Sequence, residues 1–206
     1  MKPILSIAVL VFLAAQSAPA QIVVKRPFFN LNSTNRPPFH VYSDYQVPEN
    51  HGAPSGWIGD YRDILMDANC PENPHSGKTC IKVTYTAQSS KYADWAGFFW
   101  QNPPNNNGDI DGGINLTGAK KLTFWARGAK GDEMIDAFKM GGTLGAYPDT
   151  DTVGLYNIQL ETKWTLYEID LSHVDTSYIS GFFAVIWKRF LNPKGFVIYL
   201  DDIKIE

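Results

Sequence analysis

Residues 121–127 read KLTFWAR, and the alternation in this stretch decides the fold class. Leu122, Phe124 and Ala126 share one side of an extended chain, while Thr123, Trp125 and Arg127 share the other. A period of two belongs to a strand, not a helix. Arg127 marks its side as the wet one, which makes Trp125 a candidate exposed aromatic. In WAGFFWQ (95–101), Gln101 marks the outward phase holding Trp95, Gly97 and Phe99, and leaves Ala96, Phe98 and Trp100 for the core. Lys139 is out of phase with Phe138 and Met140 and points away from the core. Over 182–189, Lys188 and Arg189 mark opposite phases; Phe183, Val185 and Trp187 are read as outward.

Working outward from these runs, short β-type segments alternate with Gly, Pro, Asn and Asp turns. Candidate strands are Phe39–Tyr42, Cys80–Thr86, Trp95–Gln101, Lys121–Ala126, Met134–Met140, Leu155–Ile158, Thr165–Asp170, Phe182–Trp187 and Phe196–Ile203. No long helix is expected, only a short helical turn over Val174–Ile179. Composition agrees: 14% aromatic, 17 Gly, 13 Pro and 19% charged residues favour a turn-rich, all-β antiparallel sandwich over disorder or a helical bundle.

Residues 1–20 read as a cleavable export signal: Lys2, an apolar run over 4–15, then Ala18 and Ala20 in an A-x-A arrangement. The run is shorter than a membrane span, so no membrane insertion is expected. Residues 21–39, with Pro27, Pro37 and Pro38, read as a tail or linker, and 40–206 as the β-sandwich domain. The expected location is secreted, either periplasmic or extracellular. The full chain has a formal charge of −3, and a mildly acidic chain has no electrostatic footprint for nucleic acid. In an oxidising compartment Cys70 and Cys80, ten apart, are expected to form a disulfide across a Pro- and Gly-containing turn. No C-x-x-C motif supports a metal or a catalytic thiol there.

Seven blocks carry a resemblance: YSDYQVPENHGAPSGWIGD (42–60), NPHSGKTCIKVTY (73–85), WAGFFWQNP (95–103), LTGAKKLTFWARGAKG (116–131), FKMGG (138–142), KWTLYEIDLS (163–172) and FVIYLDDIKIE (196–206). Over residues 40–206 the chain resembles secreted carbohydrate-binding modules, the galactose-binding-like β-jelly rolls often attached to glycoside hydrolases. The resemblance implies two antiparallel sheets with a ligand across a concave face or in edge loops. It also implies a structural calcium ion, for which Asp201 or Asp202 and an early-loop Asp44 are the matching positions. No organic cofactor is implied. The module fills the expected exported chain without a catalytic domain, so it acts alone or with a separate glycoside hydrolase or surface protein.

A pyranose packs its C–H face on an aromatic ring while planar polar groups fix its hydroxyls. Trp95, Phe99, Trp125 and Trp187 are candidates for the platform; Gln101, Arg127 and Lys139 are candidates for the hydrogen bonds, and Trp57 for a site edge. For any one tryptophan, the alternative is a place in the core. Hydrolysis of a glycoside needs two carboxylates facing across a cleft. Glu133/Asp136, Glu161/Glu168 and Asp149/Asp151 read better as solvated acids. The four histidines lack metal-ligand spacing. The expected function is non-catalytic binding of a polysaccharide or oligosaccharide. The alternatives are a cell-surface interaction protein and, third, a jelly-roll lyase or hydrolase.

Overall fold

The computed structural model describes residues 38–206. The export signal and all but the last two residues of the 21–39 tail lie outside the described residues. Phe39, read from the sequence both as the last tail residue and as the start of a strand, opens the first strand and is buried.

Twelve strands form two sheets among the described residues. In chain order they are β1 (Phe39–Tyr42), β2 (Ala53–Pro54), β3 (Ile58–Gly59), β4 (Ile64–Cys70), β5 (Cys80–Tyr85), β6 (Trp95–Gln101), β7 (Lys121–Gly128), β8 (Met134–Gly141), β9 (Thr152–Gln159), β10 (Thr165–Asp170), β11 (Gly181–Lys188) and β12 (Phe196–Ile205). The first sheet runs β10-β7-β12-β5-β4, with β1 also on β12; the second runs β2-β6-β11-β8-β9, with β3 also on β6. All named pairings are antiparallel. The antiparallel β-sandwich expected from the alternation is therefore the observed fold. Among the described residues the only helical segments are two 3₁₀ turns, Tyr61–Asp63 and Arg189–Leu191. The helical turn expected over Val174–Ile179 is instead irregular, with bends and an isolated bridge from Ile179 to Ile114.

The core lies between the sheets and is largely aromatic. Phe124 of β7 meets Phe138 of β8 at 4.7 Å and Phe183 of β11 at 4.9 Å between ring centroids. Each such ring, fully buried, contributes roughly 1.5–3 kcal/mol, so these cross-sheet contacts decide how the sheets stack.

The outward phase read for β11 is corrected. Phe183, Val185 and Trp187 are fully buried. Register explains the error: Val185 lies opposite Phe98, Phe183 opposite Trp100 and Trp187 opposite Ala96, all on the core side of β6. Lys188, opposite Trp95, marks the true outward phase together with Ala184 and Ile186.

Candidate functional site

Each sheet has an outer face, and the predicted site residues divide between the two. On the first sheet, Trp125 and Arg127 do point away from the core, but residues 71–79 lie over them. The His75 ring stacks on Trp125 at 3.7 Å and 15°. Arg127 sits 3.6 Å from the centre of the Tyr199 ring and donates through Nη2 to the carbonyl of Glu72. Glu72 also accepts from Lys82 Nζ at 2.8 Å and from the Tyr199 hydroxyl at 2.8 Å. Trp164 Nε1 donates to the carbonyl of Asn73. The surface read from the sequence as a platform is thus partner to the protein's own loop.

The same loop accounts for the three carboxylates matched to calcium. Asp44 accepts from the amides of Lys78 and Thr79 and from the Thr79 hydroxyl, at 2.7–2.9 Å for Oδ1. Burial opposes its charge, but these donors outweigh it and hold the carboxyl below its ordinary value. Asp201, fully buried, accepts from the amides of His75 and Ser76 through one oxygen and from that of Asp202 through the other. Burial, and then the neighbouring Asp202 charge, push its carboxyl up to about 7 against the pull of those amides. Asp202 stands in the left-handed region at φ 48, within an irregularity of β12, and reaches His75 Nδ1 at 2.7 Å and Ser76 Oγ at 3.0 Å.

N–H donors occupy the positions that cation ligation needs, and no group of three or more His, Cys, Asp or Glu among the described residues could hold a metal ion. The donor set does not fit calcium. These carboxylates clasp the loop.

Cys70 and Cys80 stand opposite each other across β4 and β5 at the root of that loop, packed with Tyr199. The disulfide expected from their spacing is not seen in this structure, where both are buried thiols and burial pushes the Cys80 thiol up to about 12. The carboxylates and Glu72 hold the loop through hydrogen bonds of their own.

The second sheet is built differently. Its outer face is a set of rows fixed by register. Gly97, Ile186, Ala137 and Tyr156 form one row across β6, β11, β8 and β9; Phe99, Ala184, Lys139 and Gly154 form the next. Trp95, opposite Lys188, begins the row beyond Gly97. Four small residues, Gly97, Ala137, Ala184 and Gly154, therefore lie in the floor, interrupted by Ile186 and Lys139. Trp95 (37% exposed) and Tyr156 (57% exposed) rise from opposite sides of it. From β6 to β9 is three strand spacings, about 14 Å, well over the width of one pyranose ring.

Phe99 (8% exposed) forms a recess at one end, with Gln101, Ile58, Asn107 and Gly142–Leu144 around a hollow of about 220 Å³. Lys139 Nζ lies 5.3 Å from the centre of the Phe99 ring. Gly142 is needed where it is: its φ is +91, and a Cβ there would come 2.8 Å from Lys139 Nζ. Gln101 turns its carbonyl oxygen to Ser55 Oγ at 3.3 Å.

Four sequence-predicted residues, Trp95, Phe99, Gln101 and Lys139, are therefore brought to one face. Trp57, 37% exposed, tilts over Phe98 at 5.9 Å and plugs the sandwich edge beside β3. Trp125 and Arg127 are on the opposite sheet, and Trp187 is in the core. Tyr156 was missed; its signal was the alternation within TVGLYNIQ (152–159), where Leu155 packs inward opposite Phe138.

The turn that leads into Trp95 has its own clasp. Asp60, fully buried, accepts from the amides of Lys91, Ala93 and Asp94 at 2.7–3.0 Å. Burial opposes its charge, but the three amides together hold the carboxyl below its ordinary value.

The acids weighed for hydrolysis are all engaged. Glu133 accepts from the amides of Lys130 and Gly131, and Asp149 from Thr143 and Ser180. Asp136 pairs with Lys188, Glu161 with Lys163 and Glu168 with Lys121, while Asp151 accepts from the amide of Thr152.

No family model matches the chain, and no curated protein matches it. Solved structures do. The chain is similar to the family 11 carbohydrate-binding module of the cellulosomal cellulase Lic26A-Cel5E of Clostridium thermocellum, at 16% identity over 79% of this chain and 91% of that one, with a TM-score of 0.47. It is similar to a family 30 carbohydrate-binding module at 13% identity, over 81% and 86% of the two chains, with a TM-score of 0.49. It is also similar to the arabinose-bound MgGH51 α-L-arabinofuranosidase at 16% identity and a TM-score of 0.50, over 82% of this chain and 26% of that one. At such identities the likeness is one of fold: a β-sandwich shared with a part of a much longer enzyme.

Proposed function

We propose that the protein is an exported, non-catalytic carbohydrate-binding β-sandwich that holds a polysaccharide across the outer face of its second sheet. The observation that carries this reading is the row structure of that face. Trp95 and Tyr156 stand exposed on either side of Gly97, Ala137, Ala184 and Gly154, and Phe99 is recessed at one end. Two spaced aromatic rings over a floor in which glycine and alanine alternate with Ile186 and Lys139 suit successive sugar rings, whose C–H faces pack on them. Affinity from a few such contacts is modest. The engaged acids support binding without cleavage.

Affinity electrophoresis of residues 21–206 against a polysaccharide panel, with and without added calcium, tests the reading. Retardation that the double substitution Trp95→Ala/Tyr156→Ala abolishes and Trp125→Ala leaves intact is the expected result. Retardation lost with Trp125→Ala alone moves the site to the first sheet. Release of reducing ends over time replaces binding with catalysis.

A further inference from the structure

Resting on the reading of the second sheet as the binding face, we propose that its Phe99 recess selects an acidic sugar, a uronate residue whose carboxylate pairs with Lys139 and Thr143. Lys139 points outward from the middle of the sheet, half-buried, with its ammonium over Phe99 and beside Gly142. Among the described residues it makes no ion pair and no hydrogen bond. Its neighbour on the same face, Lys188, is paired with Asp136 at 2.6 Å. Asp149, the carboxylate that acts on Lys139 electrostatically, forms no ion pair with it; it stands beside the recess, where Oδ1 accepts from the amide and hydroxyl of Ser180 and Oδ2 from the amide of Thr143 at 2.9 Å.

The second observation is independent. Thr143 is 6% exposed and its hydroxyl is buried with no partner, although it lines the recess. A buried polar group without a partner is uncommon in a folded protein and calls for one.

The chemistry of the missing partner follows from these two groups. A neutral sugar entering the recess would displace water from the ammonium and return only hydroxyl contacts, leaving the nearby Asp149 charge as its one counter-charge. A carboxylate brings the counter-charge, and charge-assisted hydrogen bonds are about twice as strong as neutral ones. One of its oxygens can accept from Lys139 Nζ while the sugar ring lies on Phe99, and the other reaches the Thr143 hydroxyl once that buried group turns towards the recess. Burial lowers the Lys139 ammonium from its ordinary value, as expected for a cation short of partners.

The test is calorimetric titration with oligomers of galacturonate, glucuronate and mannuronate, each beside its carboxyl-reduced counterpart. At least one acid is expected to bind about tenfold tighter than its reduced form. That preference should shrink towards roughly 0.5 M salt. Lys139→Gln is expected to remove the preference and Lys139→Arg to keep it, both with the wild-type melting temperature. Equal binding of acid and reduced forms, or a preference that survives Lys139→Gln, overturns the inference. If neutral oligomers bind and Trp95→Ala/Tyr156→Ala abolishes that binding, the polysaccharide reading stands while the acidic selection falls. Binding of none of these oligomers, nor of any polymer in the electrophoresis panel, removes both.

Discussion

On the first sheet Trp125, Arg127 and Tyr199 face outward beneath residues 71–79, whereas on the second sheet Trp95 and Tyr156 face outward over glycine and alanine. Both faces carry aromatics beside cations, the composition a sugar site needs. The difference lies in what the acids do. On the first sheet Asp44, Asp201, Asp202 and Glu72 each take hydrogen bonds from the loop or anchor it, so the aromatics become its seat. On the second sheet Asp60 clasps a turn beside Trp95, Asp136 pairs with Lys188, and Asp149 takes hydrogen bonds from Thr143 and Ser180 beside Phe99, so none of the three brings a segment over the outward rings. An outward aromatic is therefore available only where the nearby acids do not bring a segment over it.

The comparison can be broken in several ways. The largest effect is expected from Trp187→Ala, which should cost about 3–5 kcal/mol of unfolding free energy in urea if the ring is core; a loss under about 0.5 kcal/mol would return Trp187 to the surface. Next, Asp44→Ala removes the acceptor of two loop amides and a hydroxyl. It should cost about 1–2 kcal/mol and speed amide exchange over 76–79, with polysaccharide binding unchanged. Loss of binding instead would make the loop part of the site. Tyr156→Ala should cost no more than about 0.5 kcal/mol of stability, its side chain being exposed on an edge strand, yet weaken polysaccharide binding by about 1 kcal/mol.

The smallest effect is in acid. The carboxyl of Asp60 is lowered in the folded state from an ordinary value of 3.8, so its stabilising contribution is present above that pH and lost as pH falls through the lower folded value. Asp60→Asn should flatten that acid limb of the stability curve, and the Trp95 fluorescence of the wild type should change over the same window. An acid limb identical in the variant would show that Asp60 is not the clasp.

Much of the fold was legible because alternation acts locally. The strands Trp95–Gln101 and Thr165–Asp170 were read to the residue, and Phe98, Phe124 and Phe138 are in the core as their phase requires. β4 escaped notice because Ile64–Cys70 contains Asp67, Ala68 and Asn69, poor strand formers that pairing to β5 holds extended. β11 is buried enough on both sides that a single charge decides its phase, and Arg189 belongs to the 3₁₀ turn after the strand, not to the strand itself. Half of the site was legible for the same reason: Trp95, Phe99, Gln101 and Lys139 were read as outward, and they are. Tyr156 was not, because its strand, read over Leu155–Ile158, has no charged residue to mark an outward phase.

The sequence by itself determined that this chain forms two-faced strands and which side of its own strand each of Phe124, Trp125, Phe99 and Lys139 occupies, because a period of two needs no distant partner. Only the tertiary structure decided which outward residues share a sheet, and which of them the 71–79 loop covers. Those depend on pairings such as Asp201 with His75 and Ser76, more than a hundred residues apart, and on the register that places Tyr156 in line with Ala137 and Gly97.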